Sequence, residues 1–152
     1  MRLVNFTEKL ARQYAGWKYP KPYDVYNLPS WDEMELKKYK ITTYQGRLGY
    51  YAFVEDDVLV GVVSFKEMDT CIYMGIGLSP NMCGKGLGYQ VLSKALEEYD
   101  KNNIRTKPFY AEVRAWNHRS IKTCQKCGFK IVDRKMCRGK DGDFEGVCLQ
   151  LN

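Results

Sequence analysis

The sequence of 152 residues lacks the features that mark membrane, secreted and repetitive proteins. No run approaches the roughly 18 to 20 apolar residues of a membrane span, and the first turns are charged, unlike a signal peptide. No repeat, low-complexity tract or linker divides the chain. Its 45% hydrophobic and 28% charged residues are typical of a globular protein that buries its own core. We therefore expect a single cytoplasmic domain without a membrane partner.

Histidine is almost absent, with only His118, and disulfide or metal frameworks are not evident. Of the six cysteines, only Cys124 and Cys127 have the spacing of a zinc-ligand pair, and no second pair accompanies them. Scattered cysteines in a chain without a secretion signal are usually reduced and buried as small apolar residues. The sequence therefore predicts no metal site.

Acidic residues are scarce in one part of the chain. Residues 101–140 hold 12 basic side chains and only two acidic ones, Glu112 and Asp133, which gives this segment a net charge of +10. The whole chain has a net charge of +6, so the remainder carries −4. This asymmetry favours an anionic partner, such as nucleic acid, a membrane surface or a phosphorylated small molecule, although a solvated basic face is the alternative. The aromatic residues cluster near the N-terminus rather than among these basic ones, so we expect no nucleic acid partner.

The spacing of apolar residues predicts a mixed α/β sheet protein. The irregular segment 17–30 is rich in aromatic residues and proline. Capping patterns at Ser30 and Asn117, and a terminating Gly128, support two of the helices. Helices are expected at about 7–14, 31–39, 85–101 and 118–127. Strands are expected at 41–44, 50–55, 58–65, 71–78, 109–115, 129–136 and 144–151.

Three alternating glycines, Gly84, Gly86 and Gly88, join an expected strand to an amphipathic helix. Glycine lets the backbone approach a ligand closely, and the free N–H groups of a helix start attract an anion, so the segment suits a phosphate or pyrophosphate. It matches neither the P-loop, because Ser79 replaces the first glycine, nor the dinucleotide fingerprint, because Tyr89 breaks the spacing from Gly84. A turn that serves only tight packing is the alternative.

Two ordered blocks carry a resemblance to a known family. The segment Cys83-Gly-Lys-Gly-Leu-Gly88 resembles the acyl-CoA signature of the GNAT superfamily of N-acetyltransferases, Gln/Arg-x-x-Gly-x-Gly/Ala. The stretch from Glu112 to Phe129 is similar to the family pattern Glu-Val-x-x-x-Asn-x-x-Ala-Ile-x-x-Tyr-x-Lys-x-Gly-Phe. The resemblance is strong from about Leu59 to Phe129. It implies one GNAT domain over the chain, with a mixed, mainly antiparallel central sheet of about seven strands flanked by about four helices.

The resemblance also implies an activity and a binding site. The activity is transfer of the acetyl group of acetyl-CoA, as co-substrate, to a primary amine by direct attack with general-base assistance and no metal. The Leu78 N–H is implied to face the thioester oxygen, and Asn117 to touch the pantetheine arm. Cys83 departs from the family's Arg or Gln, and Lys85 is expected to supply the missing charge. The residues implied to contact acetyl-CoA are Ile76, Gly77, Leu78, Cys83, Gly84, Lys85, Gly86, Leu87, Gly88, Tyr89 and Asn117.

Glu112 and Cys124 are the candidate catalytic residues. The Glu-Val-Arg segment resembles that of ribosomal-protein alanine acetyltransferases, whose glutamate is the general base. A surface glutamate paired with Arg114 or a nearby lysine is the alternative, and the role would then pass to Glu67, Asp69 or a water chain. Cys124 stands where many family members carry a tyrosine that protonates the departing thiolate. It is either a thiol acid or a small buried residue.

Several alternatives stay open. Cys124 and the absence of a carboxylate in 71–78 are also compatible with a non-catalytic acyl-CoA-binding regulatory module. The aromatic loop 17–26, with Trp31, either lines the acceptor pocket or covers the sheet. The acceptor is a small molecule or a protein, with a protein N-terminus, a lysine side chain, a polyamine, an aminoglycoside and an amino acid all compatible. A homodimer is also left open.

Overall fold

The computed structural model describes residues 1–152 and shows a mixed α/β architecture. Three short 3-10 turns accompany the helices, at Tyr23–Tyr26, Lys40–Thr42 and Pro80–Met82. The helices are α1 (Glu8–Ala15), α2 (Trp31–Leu36), α3 (Tyr44–Arg47), α4 (Leu87–Asn102) and α5 (His118–Lys126). The strands are β1 (Arg2–Asn5), β2 (Tyr50–Glu55), β3 (Val58–Glu67), β4 (Ile72–Leu78), β5 (Phe109–Arg114), β6 (Lys130–Gly139) and β7 (Gly142–Leu151).

The strands form a seven-stranded sheet in the order β1-β2-β3-β4-β5-β7-β6. The pairs β1–β2, β2–β3, β5–β7 and β6–β7 are antiparallel, whereas β4 and β5 run parallel, with Tyr73 beside Tyr110. The expected fold class is therefore confirmed. None of the helices combines the length and the apolar character needed to cross a membrane.

The expected strand at 41–44 is wrong. This segment contains the 3-10 turn Lys40–Thr42 and the start of α3, where the Thr43 hydroxyl accepts a hydrogen bond from the Gly46 N–H at 3.0 Å. Its β-branched residues favour a strand, but the threonine cap and the burial of Ile41 fix a turn instead. Strand β1 was not expected, because four residues are too few to show a periodicity. The two errors compensate, so the count of seven strands holds.

The capped helices begin where their side chains predict. Ser30 accepts a hydrogen bond from the Glu33 N–H at 3.2 Å, and Asn117 accepts one from the Ser120 N–H at 3.2 Å. Gly128 follows the end of α5 with φ of 97°, a left-handed conformation that glycine adopts without strain. These local hydrogen bonds satisfy amides that a helix start leaves without partners.

The chain divides into two compact units. The first comprises Met1–Ser64 and Ile76–Cys83. Its core contains fully buried side chains from α1, α2 and β2, among them Ala11, Met34 and Ala52. Half-buried aromatic side chains, including Tyr14 and Trp17, pack against this core.

The second unit comprises Phe65–Gly75 and Gly84–Asn152. The rings of Phe65, Tyr99 and Phe109 contact one another at centroid distances of 4.8 to 5.4 Å, so α4 covers one face of β5. The arrangement of the chain as one domain over 1–152 stays a prediction.

Candidate functional site

At two of its positions, the glycine-rich segment 83–88 adopts a left-handed backbone conformation that only glycine accepts readily. Gly84 and Gly86 both have φ of 76°, and a Cβ built on either would meet nothing within 4 Å. The space beside this backbone is therefore open, and the glycines are required by conformation rather than by crowding. Lys85 lies between them with an exposed side chain. Gly88 is buried within the first turn of α4.

Helix α4 begins without a side-chain cap. Its N-cap residue is Gly86, which has no side chain to accept hydrogen bonds from the first amides of the helix. Leu87 is half-buried and Tyr89 is 46% exposed, so the first turn borders solvent. Uncapped amides at the positive end of a 16-residue helix form an anion-binding arrangement.

The end of β4 is held by aromatic residues of α1 and of the loop that follows it. A Cβ on Gly77 would lie 3.5 Å from Tyr14 and 3.7 Å from Trp17, so these rings pack against the strand. The Tyr19 hydroxyl donates a hydrogen bond to the Leu78 carbonyl at 2.5 Å. Burial raises the pKa of Tyr19 well above its ordinary value, so this hydroxyl keeps its proton. Ile76, which precedes Gly77 in the strand, is half-buried.

A cavity of about 340 Å³ lies in the first unit, beside the same loop. It is bordered by Trp17 and Lys18 of the loop, by the start of β3 and by Ser79–Asn81 after β4. The loop therefore both covers the strand and lines a cavity. That this cavity receives the acceptor stays a prediction.

After β4, the Cys83 thiol donates a hydrogen bond to the Ser79 carbonyl at 3.5 Å, which closes the turn before Gly84.

Glu112 lies on the accessible face of β5. Phe109, Ala111 and Val113 are buried on the face that α4 covers, and the alternate residues of the strand are half-buried on the other face. Both carboxylate oxygens of Glu112 accept a hydrogen bond. The carboxylate is therefore fixed in position on a half-buried residue.

Two tyrosines supply those hydrogen bonds. The Tyr73 hydroxyl donates to Oε1 of Glu112 at 3.2 Å, and the Tyr110 hydroxyl donates to Oε2 at 2.9 Å. Burial, followed by the charge of Glu112, raises the pKa of Tyr73 far above its ordinary value. Burial likewise raises the pKa of Tyr110, with smaller contributions from hydrogen bonds to Cys148 and Glu112. Both hydroxyls thus remain neutral donors over the physiological pH range.

Asn117 caps helix α5, and Cys124 lies within this helix. Asn117 is buried, and its side chain caps the helix, as the sequence predicts. Cys124 is fully buried on the inner face beside Ile121, and burial raises the pKa of its thiol to about 12. A thiol with that pKa is a weaker acid than an ordinary thiol of pKa near ~8.5. These features favour the alternative of a packed apolar residue, and a catalytic role for Cys124 stays a prediction.

We expect Cys124→Ala to keep turnover within about twofold of the unmodified protein, because a buried weak acid contributes little to proton transfer. Its unfolding free energy should fall by about 1 kcal/mol, since the substitution leaves a small void. Steady-state kinetics and chemical denaturation measure the two effects separately. A loss of turnover of tenfold or more without a matching loss of stability would restore the thiol-acid role.

The candidate residues are thus distributed over both compact units. Ile76, Gly77, Leu78 and Cys83 belong to the first unit, and the remaining candidates belong to the second. Sequence reasoning placed Tyr19 within the aromatic loop 17–26 without its contact to Leu78, and it missed the contacts of Tyr73 and Tyr110 with Glu112. For Tyr73 and Tyr110 the sequence does contain an indication, because each lies between apolar residues that are buried on the opposite face of its strand. Their convergence on Glu112 depends on the parallel pairing of β4 and β5, which no local pattern predicts.

Solved structures share this fold at low identity. A chimera of the spermidine N-acetyltransferase from Vibrio cholerae with hSSAT is 17% identical, with 99% of this chain and 95% of that chain covered and a TM-score of 0.73. The self-immunity acetyltransferase MccE, in complex with acetyl-CoA and AMP, is 17% identical, with 97% and 89% covered and a TM-score of 0.68. The ribosomal-protein alanine N-acetyltransferase from Escherichia coli is 18% identical, with 67% and 66% covered and a TM-score of 0.55.

No curated protein sequence matches this chain. The sequence profile of the acetyltransferase (GNAT) family matches residues 5–129, which include both the glycine-rich segment and the stretch from Glu112 to Phe129. With this match over most of its length, the chain belongs to the acetyltransferase (GNAT) family.

Proposed function

We propose that this protein is an N-acetyltransferase that moves the acetyl group of acetyl-CoA to a primary amine on a small molecule or a protein. The observation that carries this proposal is the open, left-handed backbone at Gly84 and Gly86, directly before the uncapped start of α4. A pyrophosphate can approach such a backbone without meeting a side chain, and the helix amides point toward it. Coenzyme A supplies such a pyrophosphate.

The other residues of the proposed coenzyme site are those of the family resemblance. Ile76, Gly77 and Leu78 would hold the acetyl and pantetheine part through backbone groups, and Asn117 would contact the same arm while it caps α5. The segment from Cys83 to Tyr89 would hold the pyrophosphate. Because Cys83 carries no charge, Lys85 would provide the positive charge at this position.

The chemistry requires a base for the amine. An alkyl ammonium has a pKa near ~10.4, so the acceptor must lose a proton before or during attack. The amine nitrogen forms a bond to the acetyl carbon, the carbon–sulfur bond breaks, and coenzyme A leaves as a thiolate. We propose Glu112 as the group that takes the amine proton, because its carboxylate is fixed by two neutral donors on the accessible face of β5.

The thiolate must also receive a proton. A thiol with a pKa of about 12, such as that of Cys124, is a weaker acid than coenzyme A, whose thiol has an ordinary pKa near ~8.5. We therefore propose that solvent, rather than Cys124, protonates the leaving group.

Calorimetry and an assay of thiol release test the function in two steps. Acetyl-CoA should bind with a measurable heat, and free thiol should appear only when a suitable amine is added. The amine panel should contain spermidine and a peptide with N-terminal alanine, because two proteins of similar fold are named for those substrates. Absence of binding to both coenzyme A and acetyl-CoA would refute the proposal. Binding without turnover on every amine would instead support the regulatory-module alternative.

A further inference from the structure

A cluster of potential metal ligands lies within the second unit. The carboxylate of Glu112 and the thiols of Cys137 and Cys148 have ligand atoms that all lie within 4.8 Å of one another. Cys137 and Cys148 are buried, with 3% and 0% exposure, and both are free thiols. Two buried thiols beside a carboxylate are a set of soft and hard donors that transition metals bind, unlike a cluster of exposed carboxylates.

The sheet register brings these residues together. Glu112 on β5 pairs directly with Cys148 on β7, so their side chains share one face. Cys137 on β6 faces Phe144 rather than Cys148, and it reaches the cluster over Gly146. A Cβ on Gly146 would lie 2.5 Å from the Cys137 sulfur, so the thiol occupies the space that the glycine leaves.

This register favours a metal over a disulfide. A disulfide requires the two Cα atoms to lie within about 7 Å, which is the arrangement of close ladder partners. Cys148 instead pairs with Asp133, four residues before Cys137 along β6. In a tetrahedral site each sulfur lies about 2.3 Å from the metal, so two bound sulfurs lie about 3.8 Å apart. The ligand atoms of the cluster already lie within 4.8 Å of one another, so side-chain shifts of about 1 Å are sufficient.

The residues around the cluster hold the Glu112 carboxylate in a fixed orientation. Metal-bound carboxylates are usually oriented by hydrogen bonds to a second layer of residues. The hydroxyls of Tyr73 and Tyr110 provide such bonds, one to each oxygen of Glu112.

We propose that Glu112, Cys137 and Cys148 bind one Zn²⁺ ion, with the fourth tetrahedral position open to solvent or a small ligand. Each thiol that binds gives its proton to solvent, and no electron is transferred. The cation displaces the thiol protons, as it does in other thiolate sites. The proposal concerns binding alone. A metal bound here would occupy the carboxylate proposed above as the base, but the test below measures metal binding without acetyl transfer.

Cobalt(II) substitution in the intact, reduced protein tests this site. Co²⁺ should bind at one equivalent with a thiolate charge-transfer absorption and the visible bands of a tetrahedral site, and Zn²⁺ should abolish both. Cys137→Ala should weaken Co²⁺ binding at least tenfold and lower the charge-transfer absorption per bound ion, because one of the two thiolates is lost. Cys71→Ser changes a half-buried cysteine outside the cluster and should leave both unchanged. Glu112→Gln should weaken Co²⁺ binding at least tenfold.

A variant without any ligand change completes the test. Gly146→Ala should weaken Co²⁺ binding at least tenfold, because the added methyl group displaces the Cys137 sulfur. Circular dichroism of each variant establishes that the fold is retained. The proposal is overturned if the unmodified protein shows no thiolate charge-transfer absorption, or if Cys137→Ala shows the same absorption at the same affinity. Equal affinity in Glu112→Gln would also overturn it, since the carboxylate would then not be a ligand.

Discussion

Glu112→Gln is expected to lower turnover by about a hundredfold or more, with little change in the affinity for acetyl-CoA. This factor is typical of a general base and corresponds to about 2.7 kcal/mol of transition-state stabilisation. Glutamine has nearly the same shape, and its amide can still hydrogen-bond with Tyr73 and Tyr110. The loss would therefore report the missing base rather than a displaced strand. Steady-state kinetics and calorimetry with acetyl-CoA measure the two quantities.

Glu145→Gln is the matched control. Glu145 lies on β7 next to β5, its side chain is exposed, and its backbone carbonyl accepts a hydrogen bond from Ala115 that the substitution leaves in place. This variant should retain full turnover. All assays should contain a chelator, so that a metal bound at Glu112 does not contribute. Turnover of Glu112→Gln equal to that of the control would move the base to Glu67, Asp69 or a water chain.

The part of the site that the sequence predicted is local. The turn at Gly84 and Gly86 and the cap at Asn117 depend on residues within a few positions of one another, and the structure has them where the pattern indicates. Their backbone requirements are visible in the residue types themselves, because glycine and asparagine are favoured there for known conformational reasons. The role of these residues toward a coenzyme is a separate matter and stays a prediction.

What the sequence did not predict depends on strand register. The contacts of Glu112 come from the pairing of β5 with β4 and with β7, which places Tyr73 and Cys148 beside it. Those partners are 39 and 36 positions away along the chain, and no pattern of residue types specifies which of several registers forms. The missed strand β1 has the same origin, because it is a strand by virtue of its pairing with β2.

The double substitution of Gly84 and Gly86 by alanine is expected to raise the dissociation constant of acetyl-CoA by about a hundredfold. Both residues have φ of 76°, and the space beside each is open. Alanine would therefore meet no protein atom, but its methyl groups would stand where the pyrophosphate must approach. Loss of hydrogen bonds between amides and a charged group costs about 2–3 kcal/mol. This energy corresponds to the expected change of about a hundredfold in the dissociation constant.

Backbone strain is the competing explanation, since a residue with a Cβ pays about 1–2 kcal/mol in this conformation. Gly142→Ala separates the two effects. Gly142, the first residue of β7, also has a positive φ, of 118°, and open space around its Cβ position. This control should lose a comparable amount of stability per residue and bind acetyl-CoA normally. If the double variant also bound acetyl-CoA normally by calorimetry, the glycines would serve the fold alone, and the pyrophosphate would have to lie elsewhere.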